Sequence, residues 1–170
     1  MSKYIKQFSS QEDSLYNVIL LLSRQKLFYT KFNLNDTFQN RIHLIFVHIS
    51  FIFIKMKNDS KDKVYKIFYQ KIFDLIFNKI ELNMREIGFG DTTINKNMRY
   101  LVKTFYNILI NCEKYKKMSI NDKNNFLVEF LKFKNTIINK GIIDYFDKYE
   151  AFCFDLKPDS VLKGELNFNY

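Results

Sequence analysis

The sequence predicts an all-α protein, and three observations carry that prediction. Turn formers are scarce, with four glycines and one proline in 170 residues, too few for the tight turns of a sandwich or barrel. Apolar residues recur at helical spacing over stretches longer than a strand. Between those stretches lie short polar groups that place Ser, Thr, Asp or Asn where helices start. Together they predict a single compact helical domain over residues 1–170. It should hold about six helices, two of them long and antiparallel, joined at residues 88–91.

Each helix has its own warrant. Ser9, Ser10, Gln11 and Glu12 fit a capping box with Ser9 as N-cap, and Leu15, Ile19 and Leu22 then share one face of a first helix ending near Gln25. Residues 27–35 mix aromatics with Asn and hold no period, as an ordered connector against the core does. Asp36 or Thr37 caps a second helix through Ile42, Ile45, Phe46, Ile49 and Phe53 to about Met56. It is apolar nearly all round and hence central. Asn58, Asp59 and Ser60 end it. Asp62 caps a third helix carrying Ile67, Phe68, Ile72, Leu75, Ile76, Ile80, Met84 and Ile87 in step, and Gly88 stops it in the left-handed conformation. Asp91 or Thr92 caps a fourth, whose seam is Ile94, Met98, Leu101, Val102, Phe105, Ile108, Leu109 and Cys112; it ends near Lys116 and Lys117. Asn121 caps a fifth through Phe126, Leu127, Phe130, Leu131, Ile137 and Ile138, closed by Gly141. A sixth runs over 142–154. Pro158 ends regular structure, leaving a tail, 161–170, with no period.

Composition bounds the function. Hydrophobic residues make up 47% and charged residues 26%, a globular balance. The apolar run 42–54 is interrupted by His43, His48 and Ser50 and is shorter than the roughly 20 residues a membrane span needs, so it reads as a core helix. Residues 1–14 carry no secretory h-region and are neither Arg-rich nor free of acids, so they make no transit peptide. The expected location is the bacterial cytoplasm, peripherally at the inner membrane, or the mitochondrion for a processed chain. Cys112 and Cys153 are too isolated for a disulfide framework or a paired metal motif. A net charge of +9 favours anionic partners such as ribosomal RNA or an anionic membrane surface, although AT-rich codons produce the same lysine excess.

Catalytic chemistry is sparse. His43 and His48 lie about 140° apart on a helix, so they share no metal-binding face, and a packed, locally hydrogen-bonded imidazole explains each. Any Ser-His or Cys-His device would have to use one of them inside the most apolar segment. Gly88-Phe89-Gly90 follows a helix and lacks the spacing and Lys of a phosphate loop. No catalytic residue, metal or cofactor is expected. The polar set Asn83, Arg85, Glu86, Asp91, Lys96 and Arg99 crowds one helix joint. There Arg85 is able to bond the last carbonyls of its helix while Asp91 caps the next. Phe89, between glycines and charges, has the character of a recognition knob. The 19 Phe and 11 Tyr, among them Tyr29, Phe32, Phe89, Phe105 and Tyr106, exceed what a core of this size hides, and exposed aromatic surface suits client binding.

Three blocks within 15–118 resemble the ubiquinol-cytochrome c chaperone family. Leu27-Phe28-Tyr29-Thr30 leads into Asp36-Thr37-Phe38-Gln39-Asn40-Arg41 and Ile45-Phe46-Val47-His48. This matches the family's early tyrosine, its Asp-to-Arg spacing and its histidine in an apolar helix. Phe73-Asp74-Leu75-Ile76-Phe77 precedes Asn83-Met84-Arg85-Glu86-Ile87-Gly88-Phe89-Gly90-Asp91, similar to the family's Leu-Arg-Glu-Met-Gly-Val-Gly-Asp signature. Lys96-Asn97-Met98-Arg99 and Phe105-Tyr106 resemble its basic segment and its Phe-Tyr-Gly-Arg end, where Asn107 and Ile108 depart from it. The family-like core is 9–118, with C-terminal helices and tail in 119–170. The resemblance implies a non-enzymatic, all-helical factor that handles newly made cytochrome b before assembly of the bc1 complex. Arg85, Glu86, Phe89, Asp91, Lys96, Arg99 and Tyr106 are then the expected partner-binding residues. Two alternatives compete: a quinone or lipid pocket with Arg41 and His48 orienting the head group, and a basic ribosome- or RNA-binding module for which the lysines at 114–117 speak.

Overall fold

A computed structural model of the protein describes residues 11–135 and 140–170. Its helices are α1 (Gln11–Ser23), α2 (Leu27–Thr30), α3 (Phe38–Asp59), α4 (Asp62–Ile87), α5 (Asp91–Lys114), a 3₁₀ turn (Tyr115–Lys117), α6 (Ile120–Phe130), α7 (Lys140–Asp155) and α8 (Pro158–Leu162). Among the described residues extended backbone pairs at one point, an antiparallel bridge between Leu34 and Phe133. The fold is all-α, as its glycine and proline content requires.

The apolar run of α3 makes it the centre. Every residue over 42–53 is buried, and α1, α4, α5, α7 and α8 all pack on it. On one side Phe46 stacks on Phe77 at 5.5 Å between ring centroids, and the edge of Phe105 meets Phe46 at 5.3 Å. Those three rings tie α3, α4 and α5 together with geometries that add to simple area burial. On the other side His48, Tyr145 and Tyr149 join α3 to α7, and Phe28 of α2 meets Tyr145 at 4.9 Å.

Helices α4 and α5 form the expected antiparallel pair. Tyr69 meets Tyr106, and both Phe73 and Phe77 meet Phe105. Gly88 closes α4 at φ +100°, in the left-handed region, and Phe89 N–H donates to Met84 O at 3.1 Å across the turn. Two positions of the third predicted seam, Ile67 and Ile87, fall instead on the solvent side, 50% and 59% exposed.

Several predicted caps move. Thr37, not Asp36, caps α3, accepting from Asn40 N–H; Asp36 is engaged by Arg41. Gly90 occupies the N-cap of α5 without a side-chain acceptor, because Asp91 is drawn to Arg85. Ser119 replaces Asn121 as the cap of α6 and accepts from Asp122 N–H. Pro158 starts α8 instead of ending the fold, since its fixed φ suits a first turn. The Ser9 cap and the Ile137 and Ile138 positions lie outside the described residues.

The largest departure is the predicted fifth helix, which stops at Phe130, while Gly141 lies in the first turn of α7. Asn40 explains the stop. Fully buried in α3, it donates from Nδ2 to Asn35 O at 2.7 Å and Lys132 O at 2.8 Å, and its Oδ1 accepts from Lys132 N–H at 2.8 Å. Asn35 N–H also reaches Lys132 O, and Lys134 N–H reaches Asn33 O. Asn33 takes φ +59°, a conformation Asn tolerates. Lys132 N–H and O, Phe133 O and Lys134 N–H are thus bonded by a neighbouring loop and the Asn35 and Asn40 side chains in place of further helix.

The tail is also ordered by backbone fit. Gly164 adopts φ +71°, and a Cβ there would stand 2.8 Å from Leu15 N, so only glycine lets the chain lie against α1. Leu166 and Phe168 are buried beyond it.

Replacing Asn40 with Ala removes three hydrogen bonds and leaves Lys132 N–H without its acceptor, while Asn35 O keeps Thr37 N–H and Lys132 O keeps Asn35 N–H; the expected cost is about 2 kcal/mol in chemical denaturation. Asn40→Asp should cost at least as much, because a carboxylate opposes the two carbonyls that Nδ2 now serves. A loss below about 1 kcal/mol for both variants would mean that water substitutes for the side chain.

Candidate functional site

The end of the α4–α5 pair carries two adjoining clefts. One, of about 260 Å³, is lined by Gln39, Met84, Phe89, Asn97, Tyr100 and Leu101 together with Phe38 and Ile42. The other, of about 210 Å³, shares Phe38 and Ile42 and continues over Tyr16, Leu20, Ile45, Ile80 and Ile87. Large apolar side chains stand open here, with Phe89 41%, Tyr100 54% and Ile87 59% exposed. Each is held there by position: Phe89 by the turn after Gly88, Ile87 by the last residue of α4, Tyr100 by the outer flank of α5.

Charge surrounds this apolar ground. Arg85 Nη1 donates to Asp91 Oδ1 at 2.6 Å across the joint, and its Nε and Nη2 donate to Glu81 Oε1 at 3.1 and 2.8 Å. Donating to the Glu81 and Asp91 carboxylates raises the guanidinium pKa further above its ordinary range. Arg41 grips Asp36 in a bidentate pair of 2.7 and 2.9 Å, and that bond holds the Asp36 carboxyl below the usual carboxylate range. Arg24, Arg41, Asn83 and Glu86 edge the second cleft.

The residues singled out in the sequence separate into groups. Arg85, Glu86, Phe89 and Asp91 come together at the joint. Lys96 and Arg99 follow on the exposed side of α5. Tyr106 lies farther along α5, its hydroxyl 3.3 Å from that of Tyr69 and its ring against Phe73. Arg41 and His48 are not brought to one cleft. Two turns of α3, about 10 Å, separate them, and His48 is in the core: its Nδ1–H donates to Leu44 O at 2.7 Å, and its Nε2 accepts from Tyr145 O–H at 2.8 Å. Burial pushes its pKa down to about 4. His43 Nδ1–H donates to Phe130 O, and burial lowers its pKa as well.

Phe38, Tyr100 and Arg24 escaped the sequence reading. Phe38 carried one signal, a large apolar residue directly after a cap, where a helix opens to solvent. Tyr100 fell outside the seam of its helix, which marks exposure but not a cleft. Arg24 had none, because it reaches the cleft only through the packing of α1 against α4.

Among the described residues no group of three or more His, Cys, Asp or Glu is arranged to hold a metal ion. No described helix is long and apolar enough to cross a membrane.

Residues 30–124 match the model of a family described as Ubiquinol-cytochrome C chaperone, a span that contains α3, α4 and α5. The solved structure titled the crystal structure of the Cbp3 homolog from Brucella abortus has the same fold, with a TM-score of 0.79 over 94% of this chain and 89% of that one at 20% identity. No curated protein is significantly similar in sequence.

His48 predicts a definite pH dependence of stability. The unfolded chain binds a proton near pH 6.5, whereas the folded imidazole resists protonation until about pH 4. Stability is therefore full above pH 6.5 and falls as pH is lowered through that window, by about 3 kcal/mol in all. His43, shifted in the same direction, steepens the slope. Denaturation between pH 7 and pH 4 should show this loss, and His48→Gln should flatten it.

Proposed function

Because the chain belongs to the ubiquinol-cytochrome c chaperone family, with more than half of its length matched, we propose that it is an assembly chaperone of the cytochrome bc1 complex. Its client is newly made cytochrome b, held at the two clefts of the α4–α5 joint. The observation that carries this reading is the apolar ground of the two clefts, floored by Phe38 and the buried Ile42, with Ile87, Phe89 and Tyr100 exposed on it and Arg24 and Arg41 at its edge.

A client segment of a membrane protein offers apolar side chains at helical spacing, and a groove of this kind takes such a face through a few anchors. Phe89 and Tyr100 are rigid aromatic anchors that lose little entropy on binding. The Arg85 pairs with Glu81 and Asp91 fix the joint, so the anchors are positioned before the client arrives. The role calls for holding without reaction, and both histidines are committed to the core. A quinone or lipid ligand is the weaker reading, because each cleft is smaller than the 300 Å³ or more typical of small-molecule sites.

Tagged wild-type protein from the native host should enrich cytochrome b, and a Phe89→Ser, Tyr100→Gln double variant should recover at least about tenfold less. Both positions are exposed, so the variant's melting temperature should stay within a few degrees of wild type. Failure of the wild type to enrich cytochrome b overturns the client; equal recovery by the variant removes the client from these clefts.

A further inference from the structure

The side of α5 that faces away from the core carries more than the joint requires. Ile94, Leu101, Phe105, Ile108 and Cys112 bury one face. On the opposite face Lys96, Arg99, Lys103 and Lys114 are all exposed, within an arc of about 60° and over about 27 Å of helix. Among the described residues none of the four makes an ion pair. The two acidic residues of the helix lie off this face and are engaged elsewhere, Asp91 by Arg85 and Glu113 by Lys57. Lys96 and Arg99, and Arg99 and Lys103, stand three and four residues apart, where like charges destabilise a helix. Among the described residues no ion pair offsets that repulsion.

We propose that this face of α5 is a docking surface for an anionic lipid bilayer. Between and beside the cations stand Tyr100, Tyr106 and Ile110, each 44–54% exposed. Half-exposed tyrosine and isoleucine on a basic face suit the boundary between head groups and acyl chains, where aromatic rings with a polar tip also settle. The face is the exposed outer side of a helix, whose cylinder is convex. A plane of anionic head groups meets a ridge along its length, whereas single-stranded nucleic acid is bound by a groove that tracks its backbone. The open hollow beyond the C-terminal end of α5 does not supply a basic groove, since Asp122 and Glu129 line it opposite Lys114 and Lys117 and cancel their charge. The inference stands apart from the client reading: it rests on charge along α5, and Tyr100 is the one residue common to both.

The test is co-sedimentation of the full chain with phosphatidylcholine vesicles, with and without phosphatidylglycerol. Wild type should bind only the anionic vesicles and dissociate as salt rises. Lys96→Gln, Arg99→Gln, Lys103→Gln in one chain should weaken that binding on the order of a hundredfold, each cation near an anionic surface contributing a factor of about five. A variant that keeps the charge, Lys96→Arg, Arg99→Lys, Lys103→Arg, should bind as wild type does. Vesicle binding by the glutamine variant at wild-type strength overturns the proposal, as does absence of binding by wild type. Displacement of wild type from the vesicles by a single-stranded RNA oligomer at equal phosphate concentration would assign the face to nucleic acid instead.

Discussion

A helix with no solvent face has to be enclosed, and the enclosure of α3 governs where the rest of the chain lies. Its run of apolar residues buries large surface on every side, at about 25 cal/mol per Å² removed from water, so each neighbouring helix gains by packing on it. Phe46 draws in α4 and α5 through Phe77 and Phe105. Ile49, Phe53 and Met56 continue the buried surface along the helix, and His48 meets α7 on the opposite side. The clefts follow from the same arrangement. Where α3 begins, Phe38 and Ile42 line both clefts, and Ile87, Phe89 and Tyr100 stand exposed around them.

Such a core must still satisfy the polar atoms it encloses. Asn40, His43, His48 and Ser50 are all buried in α3, and each bonds to backbone carbonyl oxygen. Ser50 and His48 look back along their own helix. Asn40 and His43 instead reach the end of α6 and the segment after it, so the polar residues of one helix decide where another stops. Interiors of low dielectric make that preference strong, since an unmet donor or acceptor costs more than a typical hydrogen bond contributes.

Much of this was legible in the sequence because period and punctuation are local. The seams of α1, α3 and α5, the stop at Gly88 and the antiparallel pair all appear in the order and spacing of apolar residues. What escaped was decided by partners distant in the chain. Leu131 looks like a helix position until Asn40 claims the backbone of Lys132. Asp91 looks like a cap until Arg85 takes its carboxylate. Pro158 looks like an end, although the same fixed φ also begins a helix. The joint and its cluster of Phe89 and charged residues were legible, and the segment resembling the family signature lay there too. The second cleft was not, because Tyr16, Leu20 and Arg24 approach it from α1 and no sequence spacing encodes that approach.

Gly164 lies against Leu15 and Ser14, which joins positions nearly the whole chain apart. Closing so long a loop is entropically slow relative to pairing neighbours. During synthesis the Leu15 end of α1 therefore lacks this part of its cover until Gly164 has been made. The packing of α1 is thus completed only by a residue about 150 positions farther along the chain, so a truncation before Gly164 would uncover the Leu15 end of that helix.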